Sequence, residues 1–169
     1  IESLADSDED VRYQAALALG MLGDLRALEP LMNLLKDKDK YVRGSSAYAL
    51  GSLRDKRAVD VLIDALHEND DEEVRAHICD SLGELSDQRA VDSLIAILAD
   101  QSKYIKSRAA YALGRLGNPR AVQPLIFMLA NYPEFAGTLW RFDTILTGDS
   151  DIREIWQWAD YFFASLKEA

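Results

Sequence analysis

Few side chains in this sequence could do chemistry. It carries two histidines, His67 and His77, and a single cysteine, Cys79. A bound transition metal needs several imidazole, thiolate or carboxylate ligands converging on one point. His67 is followed by Glu68, but no second His-Glu pair exists for it to converge with, since His77 is followed by Ile78. A cysteine nucleophile needs a base or a cationic setting to form thiolate, and Cys79 has no histidine partner evident in the sequence. Gly-rich phosphate loops, Cys-x-x-Cys pairs and Gly-x-Ser-x-Gly elbows are absent as well. The expectation is a protein without catalytic residues, metal ligands or a cofactor.

What does recur is charge at fixed spacing. Arg12, Arg43, Arg75 and Lys106 form one series, and Arg26, Arg57, Arg89 and Arg120 a second. Regular recurrence points to a structural ladder, with each cation bridging to a carboxylate or helix-end carbonyl of its neighbour, because exposed functional positions vary from repeat to repeat. The elements carrying these series are themselves repeated. Val11–Gly20, Val42–Gly51, Val74–Gly83 and Ile105–Gly114 align, and their glycines are 31, 32 and 31 residues apart.

Within each copy, Val11, Ala15, Ala18, Leu19 and Leu22 follow helical spacing with one buried stripe, and Leu28, Leu31, Leu34 and Leu35 do so over a shorter run. The repeat is a helical hairpin of helix A and helix B. Asp24, Asp55, Asp87 and Asn118 are placed to cap helix B, with Pro119 at a first helical position. Asp6, Asp37 and Asp100 fall near the start of helix A. Gly20, Gly51, Gly83 and Gly114 each cost about 1 kcal/mol against alanine in a helix interior. With Ala16, Ala47, Cys79 and Ala110 they are expected to form a strip where helices A and B approach closely, so Cys79 reads as a buried space filler.

The fold class predicted is all-α: a right-handed solenoid of four hairpins, about 6–36, 37–68, 69–99 and 100–130, closed by a helical cap over 131–169. That last segment holds all three tryptophans and nine of the fifteen aromatics. Large aromatics cover the end of a stack efficiently. The alternative is a ligand pocket lined by Trp140, Trp156 or Trp158.

Composition narrows the partners. The net charge of −10 argues against nucleic acid, because phosphate binders concentrate Lys and Arg on one face. An acidic surface either confers solubility or steers a basic partner. No apolar run approaches membrane-spanning length, no signal sequence opens the chain, and one cysteine excludes an intramolecular disulfide, so a reducing cytoplasm is expected. The missing initiator methionine suggests a processed or excised chain that has lost upstream repeats.

Positions that differ between repeats are the better guide to a binding site. On helix B, taken as the inner layer, one row reads Glu29, Asp60, Asp92, Gln123 and the next Asn33, Asp64, Ala96, Phe127. The stripe is acidic at first and more apolar towards the cap. It is expected to receive a helix or loop with basic or apolar groups from another protein, against the plainer reading of a solvated face.

The pattern Val-Arg-x-x-Ala-Ala-x-Ala-Leu-Gly-x-Leu-Gly-Asp-x-Arg-Ala-Val-x-Pro-Leu resembles the short HEAT repeats of phycobilisome lyases over residues 6–130. Ile145-Leu146-Thr147-Gly148 followed by Trp156-Gln157-Trp158 is similar to the closing segment of bacterial HEAT-like proteins, although there the tryptophans stand three apart. The resemblance implies the fold and leaves three functions open. One is a non-catalytic interaction or scaffold module. Another is a bilin lyase-like or tetrapyrrole-handling subunit. A third is the end piece of a larger solenoid enzyme. The di-iron hydroxylases sharing this fold use several His-Glu pairs, which this chain lacks.

Overall fold

The computed structural model describes residues 1–131; the expected cap, with Trp140, Trp156 and Trp158, lies outside the described residues. The long helices of the four hairpins are α1 (Glu9–Leu22), α3 (Lys40–Leu53), α5 (Glu72–Leu85) and α7 (Lys103–Leu116). Their short partners are α2 (Leu28–Leu34), α4 (Val59–Glu68), α6 (Val91–Ile97) and α8 (Val122–Asn131). The chain is an α-solenoid: each long helix packs on the next, and α2, α4 and α6 pack on α3, α5 and α7, the long helices of the following hairpins. No helix among the described residues is long and apolar enough to cross a membrane.

Local chemistry sets the boundaries. Asp24, Asp55, Asp87 and Asn118 accept hydrogen bonds from the backbone N–H groups of Arg26, Arg57, Arg89 and Arg120, opening a single 3-10 turn that runs into each short helix. The long helices are capped by Asp8, Asp39, Asp71 and Ser102. Asp6, Asp37 and Asp100 instead stand one step outside, where each accepts the backbone N–H of the capping residue at 2.8–2.9 Å. The long helices close on a left-handed residue. Gly23 and Gly117 take it without a Cβ penalty, while Arg54 and Ser86 hold φ of 54° and 48° there.

The expected ladder is present. Arg12 donates to both carboxylate oxygens of Asp37 at 2.8 and 2.9 Å, and to the carbonyls of Asp6 and Ser7. Arg43 donates to Asn69 at 2.8 Å and to the carbonyls of Asp37 and Lys38. Arg75 meets Asp100 at 2.6 Å. Each rung ties the start of one long helix to the start of the next. Buried hydroxyls add cross-links: Ser46 donates to the Leu31 carbonyl, and Ser81 to the Ala47 carbonyl at 2.7 Å.

The buried stripe behaves differently in the first hairpin. Val42, Val74 and Ile105 are at most 1% exposed, but Val11 is 39% exposed. Leu53, Leu85 and Leu116 are buried, whereas Leu22 is 76% exposed. Among the described residues, the turn Glu2–Ala5 lies beside α1 in place of a preceding hairpin.

The ladder and the ion pairs of the turns make stability depend on pH. Hydrogen bonds from Arg26 and Arg57 hold the carboxyls of Asp24 and Asp55 down at about 2. Burial works to raise Asp37, but the hydrogen bond from Arg12 and that from the Asp39 N–H outweigh it and keep the carboxyl below its ordinary value. Asp71, Asp87 and Asp100 are lowered as well. A carboxyl depressed in the folded state contributes stability above its unfolded value, and loses that contribution as pH falls through the folded value. The urea midpoint is therefore expected to stay flat from pH 7 to about pH 5 and to drop between about pH 4 and pH 2. A midpoint unchanged down to pH 2 would remove these ion pairs from the account of stability.

Candidate protein-docking face

The seven residues predicted to line a groove on the short helices, Glu29, Asn33, Asp60, Asp64, Asp92, Gln123 and Phe127, are all exposed, Phe127 at 73%. Their electrostatics differ from the acidic stripe expected. Asp60 is met by Arg89 at 2.5 Å and Asp92 by Arg120 at 2.7 Å, and Arg57 lies in the field of Glu29. The row therefore alternates in sign along the stack. Arg89 and Arg120 of the second series reach the carboxylate one repeat earlier, a contact across hairpins that one-row reading of the sequence could not reveal, whereas Arg26 and Arg57 close on Asp24 and Asp55 in their own turns instead of bridging to a neighbour.

The glycine strip lies between successive long helices, not between the two helices of a hairpin. A Cβ on Gly20 would stand 2.7 Å from the Ala49 Cα, and one on Gly51 would stand 2.9 Å from the Ser81 Cα. Such closeness is possible only without a side chain. The short helices reach the next long helix and the next turn rather than pressing on each other in this way. The long helices thus form the more closely packed edge of the stack.

On that edge the outward positions vary from hairpin to hairpin. One row reads Asp10, Tyr41, Glu73, Tyr104, another Leu17, Tyr48, Asp80, Tyr111, and a third Met21, Ser52, Glu84, Arg115. Tyr41, Tyr48 and Tyr104 are 58%, 49% and 52% exposed. Two depressions open here. The first, about 230 Å³, lies between Tyr13, Tyr41 and Tyr48 with Gly44 and His77 at its base and Lys40, Asp71 and Glu73 around it. Gly44 makes room for the imidazole, since a Cβ there would stand 3.2 Å from the His77 Cδ2. The second, about 500 Å³, is lined by Tyr48, Tyr111, Asp80, Glu84 and three arginines, Arg54, Arg108 and Arg115. Arg108 pairs with Asp80, Arg115 with Glu84, and Arg54 reaches Glu84 at 3.7 Å.

Exposed, rigid tyrosines between adaptable polar groups are suited to protein recognition, since they offer much contact area at low entropic cost. Cys79 is no nucleophile in this setting: burial pushes its thiol up to about 12, and the side chain is wholly enclosed. The positions that vary along the long helices mark this face in the sequence.

Among solved structures, the complex of CpcE and CpcF of phycocyanin lyase from Nostoc sp. PCC7120 is similar to this chain at 29% identity and a TM-score of 0.69, covering 78% of it. The chain spans 57% of the length of that lyase chain. A designed armadillo repeat protein in complex with the peptide (KR)4, at 19% identity and TM-score 0.55, matches over 96% of this chain and 79% of its own. An engineered protein, at 20% identity and TM-score 0.55, matches over 97% of this chain and 77% of its own. These last two likenesses concern the fold alone. No curated protein matches the sequence. The sequence pattern of HEAT repeats matches residues 1–75 and 60–135, and the chain belongs to the HEAT-repeat family.

Proposed function

We propose that this chain is a non-catalytic protein-binding module whose docking face is the outward surface of the long helices. The observation that carries the reading is the set of exposed tyrosines, Tyr41, Tyr48 and Tyr104, at positions that change from hairpin to hairpin on the tighter edge of the stack. The short-helix row of Glu29, Asp60 and Asp92, with Asn33, Asp64, Gln123 and Phe127, is the alternative face, and a basic partner docking there would have to displace Arg89 and Arg120. Similarity to a phycocyanin lyase complex favours a second reading, a lyase-like or tetrapyrrole-handling subunit that itself acts by assembling with another protein.

The test is affinity capture from the source-cell lysate, followed by hydrogen-exchange footprinting of the captured complex. A colourless stoichiometric partner that protects the solvent-facing ends of α3, α5 and α7 is the expected result. Protection confined to α2, α4 and α6 would move the site to the alternative face. A captured species absorbing in the visible would establish the tetrapyrrole reading instead.

A further inference from the structure

Tyr48 belongs to both depressions on the long-helix face, and the charges on its two sides are opposite. On one side two carboxylates, Asp71 and Glu73, face one ammonium, Lys40. Lys40 pairs with Asp71 at 3.3 Å and feels Glu73 only at longer range, so the carboxylates outnumber the ammonium. On the other side three guanidinium groups, Arg54, Arg108 and Arg115, share two carboxylates, Asp80 and Glu84. Arg115 holds Glu84 with two hydrogen bonds, so Arg54, with its side chain 75% exposed, is the loosest cation. Counted over its lining, one side therefore carries an excess negative charge beside Tyr41 and the other an excess positive charge beside Tyr111, with the Tyr48 ring between.

We propose that Tyr48 divides a two-pocket recognition site, in which the partner places a lysine or arginine side chain on the Glu73 side and a carboxylate on the Arg54 side. The inference rests on the docking reading given above. Charge complementarity fixes orientation as well as attraction: a partner segment reversed end for end would bring like charges together on both sides, which is strongly disfavoured. Tyrosine faces further favour a cation in the first pocket.

The test uses the full-length chain labelled with 15N and two small probes, N-acetyl-arginine amide and N-acetyl-glutamate amide. The arginine probe is expected to shift the backbone amides of Gly44, Val74 and His77 saturably, and the glutamate probe those of Ser52, Arg54 and Arg115. Glu73→Gln should weaken only the arginine probe and Arg54→Gln only the glutamate probe, each about fivefold. Probes that fail to saturate, or that move both sets of amides alike, overturn the two-pocket assignment while a captured partner footprinting on α3 and α5 would keep the docking face. A footprint on the short helices overturns both.

Discussion

Gly51→Ala is expected to destabilise the protein by about 1–3 kcal/mol, even though alanine is favoured over glycine in a helix interior by about 1 kcal/mol. The added methyl would lie 2.8 Å from the Ser81 Oγ and 2.9 Å from its Cα and Cβ. Backbone cannot swing aside as a long side chain can, so α3 and α5 must separate, loosening the Ser81 hydrogen bond to the Ala47 carbonyl. Gly20→Ala should behave similarly, its methyl standing 2.7 Å from the Ala49 Cα. Gly83→Ala supplies the internal comparison. There the nearest atom, the Ala112 Cα, is 3.1 Å away, so a shift of a few tenths of an ångström suffices and the loss should be smaller. Urea unfolding of the three variants reads the order directly. Equal costs at Gly51 and Gly83 would mean that contact distance does not govern the stack.

Tyr48→Ala should weaken binding of the captured partner about 30-fold or more, the loss typical of an aromatic hot spot, while the unfolding midpoint moves little because the side chain is 49% exposed. Tyrosine at this position touches both depressions, so its removal opens each to water at once. Asp60→Lys combined with Asp92→Lys provides the contrast. It sets like charges against Arg89 and Arg120 on the short-helix row and should leave affinity within about twofold, since rim charges away from an interface contribute little. Titration calorimetry on the three proteins decides the matter. Loss of affinity in the double lysine variant, with Tyr48→Ala unaffected, would place the interface on the opposite side.

Periodicity made the hairpins legible, because a repeat must present the same apolar stripe each time it stacks: Leu28, Leu31, Leu34 and Leu35 are all buried as their spacing requires. Arginine recurrence was legible for the same reason, and Arg12 and Asp37 do meet across the hairpins. Two kinds of information were not. Spacing cannot say which neighbour a glycine faces, and Gly20 touches Ala49 of the next long helix rather than its own hairpin partner. That ambiguity left open which helices pack most closely along the stack. Nor does a row of acids announce its counter-ions when these come from 28 or 29 residues away, as Arg120 and Arg89 do for Asp92 and Asp60.

Cys79 carries a consequence of its own. Its side chain is fully enclosed between α5 and its neighbours, and the thiol is pushed up to about 12. Thiolate, the form that attacks a labelling reagent, is therefore almost absent near neutral pH until the third hairpin opens. Because a solenoid opens in segments rather than all at once, the alkylation rate of this one sulfur becomes a clock for the middle of the array. Compared with global unfolding, it separates local breathing of the third hairpin from collapse of the whole stack.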